Sequence, residues 1–233
     1  MIIRNLLLVL LAASASGAAA QNLVTFGVRG GANFTTVAGD YTLDYYDYGF
    51  NENADNAKVD KSASFKPGFN IGIDAQYPLN DKMALQAELF YSREGYKGEW
   101  TYSYEGNYKG TFTDQYSFFN LPLFFKYNFT KNFYVMAGPQ ISFLLSAKHK
   151  GEMVGYFGDR ESTTLDLKDR MNKLGFGFTP GVGYDLNKMS FSLRYFAGLT
   201  SLAKSEYDDV NIKSQVLSVV ASYKVFTIKN RNH

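Results

Sequence analysis

Apolar residues recur at every second position in eight stretches of this chain. In 25–35, Phe26, Val28, Ala32 and Phe34 share one face and Arg29 and Asn33 the other. In 69–77, Phe69, Ile71, Ile73, Ala75 and Tyr77 alternate with Asn70, Gly72, Asp74 and Gln76, and from Met83 onward Leu85, Ala87, Leu89 and Tyr91 alternate with Gln86, Glu88, Phe90 and Ser92. A period of two with one apolar and one polar face is the mark of a β-strand between two unlike environments. The pattern returns in 119–129, where Leu121, Leu123 and Phe125 oppose Asn120, Pro122 and Lys126, and in 133–143, where Val135 and Ile141 oppose Gln140 and Ser142. It also predicts strands over 174–186, 189–199 and 214–226, with Asp185, Arg194 and Ser218 on the polar side.

The connections between these strands alternate in length. Residues 78–82, 130–132 and 187–188 make tight turns, whereas 36–66, 97–114, 146–173 and 201–213 form long loops. Outer-membrane barrels show short periplasmic turns, long outer loops and an even strand number that returns both termini to the periplasm. The expectation is therefore an all-β fold, an eight-stranded antiparallel up-and-down transmembrane β-barrel with long extracellular loops and short periplasmic turns. A soluble lipocalin-like barrel also alternates, but it turns its apolar side chains inward around a ligand. Here Phe and Tyr crowd both ends of the apolar faces, as in the aromatic girdles of membrane barrels.

The first residues sharpen the picture. Arg4 precedes the apolar run 6–13 and the small-residue tail Ala18-Ala19-Ala20, the pattern of a cleaved secretory signal peptide over 1–20. The barrel domain is then expected over 21–226, with a short polar tail over 227–233. No later apolar run is long enough for a spanning helix, so a membrane chain of this kind must cross with strands. Composition agrees: 18 Tyr and 20 Phe accompany 21 Gly, a mixture suited to close-packed strands. The absence of Cys excludes disulfides, thiolate metal sites and a Cys nucleophile, and a net charge of only +2 makes nucleic acid an unsuitable partner.

The segments FGVRGGANFTTVAGD (26–40), FKPGFNIGIDAQYPL (65–79), FNLPLFFKYNF (119–129), FGFTPGVGYDL (176–186) and RYFAGLTSL (194–202) resemble the PorT-like outer-membrane β-barrel domain family of Gram-negative bacteria. The resemblance implies a barrel of OmpA and OmpX size, and PorT itself is linked to protein secretion and surface motility. One departure is that Phe226 is followed by a polar tail, whereas such barrels commonly finish on an aromatic residue read by the insertion machinery.

Five charges, Arg29, Asp74, Glu88, Lys126 and Arg194, fall on the polar faces. A barrel of eight strands has an interior just wide enough to be filled by side chains, so these are expected to pair as a lumen charge network rather than to line an ion path. His149 lies in the third long loop near Asp159 and Glu161 and is expected at the surface; one His without a Ser motif is poor support for a hydrolase. Two His and no Cys do not readily make a zinc site. Neither glycine run, Gly27-Gly30-Gly31 or Gly175-Gly177-Gly181-Gly183, matches a nucleotide-binding loop.

Between the third and fourth strands, Trp100, Tyr102, Tyr104, Tyr108 and Phe112 share one parity, that of the polar face. They are expected to form an aromatic loop surface leaning over the barrel mouth and packing against Tyr41, Tyr45, Tyr46 and Tyr48. The expected function is that of a non-enzymatic, monomeric outer-membrane protein with a packed polar lumen and no cofactor. Its partners are expected to be outer-membrane lipid and surface or secretion-machinery proteins; the alternative is a small channel or an enzyme built on the same scaffold.

Overall fold

The computed structural model describes residues 23–39, 59–103, 107–154, 160–204 and 211–229. The expected signal segment 1–20, the tyrosines 41, 45, 46 and 48, Tyr104 and Asp159 lie outside them. The described residues form nine strands: β1 Leu23–Ala38, β2 Val59–Pro78, β3 Met83–Ser103, β4 Asn107–Asn128, β5 Phe133–Val154, β6 Arg160–Asp166, β7 Leu174–Leu186, β8 Met189–Gly198 and β9 Lys213–Lys229. Every pairing is antiparallel, and the sheet closes on itself because β1 pairs with both β2 and β9 while β4 pairs with β5.

The ring contains eight strands, as the alternation predicts. The ninth, β6, pairs with the far end of β5 and stands outside the ring, which β5 completes by pairing with β7 lower down. A correction follows for the loops. Much of what reads as 36–66, 97–114 and 146–173 is strand, since β3, β4 and β5 run for 21, 22 and 22 residues. About 9–11 residues suffice to cross a bilayer. The remainder of β2–β5 projects beyond it, and with β6 forms a five-stranded open sheet on one side of the mouth. Residues 59–65 of β2 pair only with β3, because the β1 ladder stops at Thr35 opposite Lys66, so this edge has no partner among the described residues. At the other end β9 continues three residues past Phe226, with Thr227 and Lys229 paired to Thr25 and Leu23.

The faces are those of a protein turned inside out. Val28, Ile71, Ile73, Leu89, Leu123, Phe125, Val182, Leu193 and Val219 are exposed on the outer wall, whereas Asn33, Asn70, Gln86, Ser92, Asn120, Gln140 and Thr179 are buried inside. A lipocalin-like interior is thereby excluded. Aromatic pairs rim the wall: by the 129–132 turn Phe129 meets Tyr127 edge to face and lies tilted against Phe133, and Phe26 stacks 5.0 Å from Phe226. Toward the opposite end Tyr91 packs between Phe69 and Phe119. The tight turns 79–82, 129–132 and 187–188 share one end, with Asn80 and Thr130 side chains accepting main-chain N–H bonds and Asn187 at φ 54°.

Candidate functional site

The interior is held by charge. Glu88 of β3 accepts hydrogen bonds from Arg29 of β1 and, at 2.7 Å, from Arg194 of β8, so one carboxylate ties three walls together. Its other oxygen accepts from Arg194 at 2.9 Å and from the Gln86 amide at 2.6 Å. Arg29 also donates to Asn70 at 2.8 Å and stacks 3.9 Å over the Phe90 ring, while Arg194 donates to Ser192 and faces Phe124. Burying two cations and the anion they share is costly, and this density of hydrogen bonds makes it tolerable.

The other two charges expected in this network sit differently. Asp74 faces the lumen, but among the described residues it makes no ion pair. Its carboxylate lies over the Gly27 backbone, where a Cβ would come within 2.8 Å, and Oδ1 has no hydrogen-bond partner. Lys126 pairs at 2.9 Å with Asp185 of β7, not with Asp74, and its ammonium lies 3.7 Å from the Tyr134 ring centre. Asp185 carries the parity of a lumen residue in the sequence, yet nothing there singles it out as the partner.

Above this cluster a polar rung runs along the inner wall of β3, β4 and β5: Asn120 accepts from Ser142 at 2.6 Å and from Gln140, and donates to Ser92, which donates to Glu94. Higher still the interior turns apolar. Tyr96, Phe112, Tyr116 and Phe118 pack with Leu144, Ala147, Met171 and Leu202. Met171 and Leu202 are brought in by two returning segments, joined at a Met171–Ala203 bridge and by Asn172 donating to the carbonyls of Ser201 and Ala203. Of the expected aromatic surface, Phe112 has a described side chain and points inward; those of Trp100, Tyr102 and Tyr108 are outside the description. The mouth is therefore covered, among the described residues, by segments around 171 and 202 that the sequence did not nominate.

His149 is a second correction. It is buried inside the projecting sheet rather than on a surface loop, because β5 takes in an extra residue near Leu145, opposite Ser117/Phe118, and thereafter turns its odd positions inward. Nδ1 lies 2.5 Å from Asp114, whose other oxygen accepts from Tyr116 at 3.2 Å, and Phe112 stacks on the imidazole at 5.8 Å.

Comparison with known proteins gives one family and several remote structural likenesses. Residues 19–204 match the family described as outer membrane protein beta-barrel domain. No curated protein shows significant similarity to the sequence. Among solved structures, Ail of Yersinia pestis is 14% identical, with 88% of this chain and 100% of that one covered and a TM-score of 0.43. Neisserial surface protein A is 14% identical over 87% and 99% at 0.42, and the outer membrane protease OmpT of Escherichia coli 10% identical over 91% and 100% at 0.41.

Proposed function

The chain belongs to the outer membrane protein beta-barrel domain family, and from that premise we propose that it is a non-enzymatic outer-membrane barrel, plugged inside, whose working part is the sheet carried outside the bilayer. The observation that carries this reading is the Glu88 carboxylate of β3 bound both by Arg29 of β1 and, across the lumen, by Arg194 of β8, with polar and aromatic layers stacked above it. An interior filled in this way among the described residues supports a plug rather than a pore. What remains available to other molecules is the outer wall and the projecting sheet, whose edge along 59–65 has no strand partner beyond β3 among the described residues.

The same reading includes a cleaved segment 1–20, both mature termini in the periplasm, a monomeric barrel, and a contact with surface or secretion components. The contact is supported by the likeness of the strand motifs to the PorT-like group. An enzymatic reading has one observation in its favour, the close Asp114–His149 pair, but Phe112 stacked on the imidazole and the burial of both side chains suit a packing role better.

Purified protein reconstituted in a planar bilayer tests the proposal. The expected record is flat at moderate voltage. Reproducible current steps of constant size would replace the plug by a channel.

A further inference from the structure

Just beyond the Phe69–Tyr91–Phe119 girdle the outward face of the projecting sheet becomes basic. Arg93 and Lys97 of β3 and Lys148 and Lys150 of β5 are exposed. Cross-strand register sets Lys97, Thr113 and Lys150 in one row across β3, β4 and β5, and Gly95, Gln115 and Lys148 in the row nearer the bilayer. Arg93 lies one step nearer still, opposite Ser117.

Lys66 joins them from β2. The β2 segment 66–68 bulges opposite residues 94–95, and the Lys66 ammonium donates to the Asp114 carbonyl oxygen of β4 at 3.3 Å. To pass from β2 to β4 the side chain must cross β3, and it crosses by Gly95. That residue has φ +151°, and a Cβ there would fall 2.0 Å from the same carbonyl oxygen, so glycine is required. Lys66 is thereby seated beside Arg93, Lys97 and Lys150; burial first, and the nearby Arg93 next, lower its pKa to about 8.

None of these five cations makes an ion pair among the described residues. Asp166 stands across from Lys148, and Glu99 and Glu152 occupy the row farther from the bilayer, on either side of Thr111. Along β3 the outward face thus runs from the aromatic Tyr91 through the cations Arg93 and Lys97 to the carboxylate of Glu99, while Asp166 lies at the outer margin of the cationic level. Arg93 is braced by the Gln115 side-chain oxygen at 2.6 Å, which orients the guanidinium while leaving most of its fork of donors available.

We propose that this outward patch, centred on Lys66, Arg93, Lys97 and Lys150, holds the phosphorylated headgroup of an anionic lipid in the leaflet on the long-arm side. A lipid whose chains lie along Phe69, Tyr91 and Phe119 places its headgroup at the level of Arg93 and Lys66. A headgroup bearing more than one phosphate reaches on to Lys97 and Lys150. Bracing of Lys66 and Arg93 by Asp114 and Gln115 reduces the side-chain ordering needed on binding. The proposal rests on the reading of this chain as a membrane barrel with its long arms outermost.

The test uses the folded protein in zwitterionic micelles, titrated with bis-phosphorylated lipid A and followed by native mass spectrometry. Each Arg or Lys near an anionic lipid surface is expected to contribute about fivefold in affinity, so the triple variant R93Q/K97Q/K150Q should bind about 100-fold more weakly. The double variant K131Q/K188Q, which removes cations at the opposite rim, should bind as the wild type does. Should the triple variant fail to fold, each single variant carries the same test at about fivefold. Unchanged binding by the triple or by all three singles, an equal loss in the opposite-rim variant, or inorganic pyrophosphate binding the wild type as tightly as lipid A would each overturn the proposal. Shifted migration on unboiled gels reports separately whether the barrel itself has formed.

Discussion

Glu88 has the most demanding surroundings of any side chain described here, being almost fully enclosed and the shared acceptor of two guanidinium groups. Removing it takes from the buried Arg29 and Arg194 the one carboxylate that both of them pair with among the described residues. Glu88→Ala is accordingly expected to destabilise the folded barrel by about 3–5 kcal/mol, measured by urea titration in micelles. Asp74→Ala is expected to cost about 1 kcal/mol or less, because Asp74 makes no ion pair among the described residues and one of its oxygens is already unpartnered. Equal losses from the two substitutions would mean that Asp74 shares the cluster in solution. At this scale the parity of the sequence placed all five expected charges on the lumen side. It could not rank them, since Asp74 and Glu88 look alike in a period-two pattern and differ only in what stands across the barrel.

At the scale of the strand, irregularities place the side chains that matter. Pro122 of β4 and Pro139 of β5 remove main-chain donors from neighbouring strands, and the ladder between them lapses from Pro122–Gln140 to Phe125–Ala137. Gly138 sits in that lapse, where a Cβ would fall 1.8 Å from the Leu123 carbonyl oxygen. Gly138→Ala is expected to destabilise the barrel by about 1–3 kcal/mol by forcing β4 and β5 apart, again by urea titration; a neutral result would show that the two backbones separate freely at this point. Further along β5, the extra residue near Leu145 changes the parity and carries His149 inside. Strand existence was legible from alternation, but this inversion was not, because an inserted residue in a run of mixed polarity leaves no periodic signal.

For the molecule as a whole, closure is the dominant fact. A ring in which β1 pairs with both β2 and β9 has no free edge within the membrane from which to unravel. Folded protein should therefore run faster on a gel unboiled than boiled; identical migration under both conditions would argue against a closed barrel. The wall is also uneven in height, since β8 has 10 residues while β4 and β5 have 22 each. This asymmetry puts the open sheet and its basic outer face on one side of the mouth, and with them the surfaces on which the proposed functions depend.

The sequence by itself determined the number of strands in the ring, the inward and outward faces of the strands within the wall, and the positions of the tight turns. These are local properties: a two-residue period and a turn signal are complete within a dozen residues. Only the tertiary structure decided that Lys126 pairs with Asp185, that Glu88 serves two arginines, that β6 stands outside the ring, and that Met171 and Leu202 cover the aromatic mouth. Each of these joins residues far apart along the chain. Which side chains meet across a lumen depends on the stagger with which the sheet closes, and that stagger belongs to the ring as a whole rather than to any single strand.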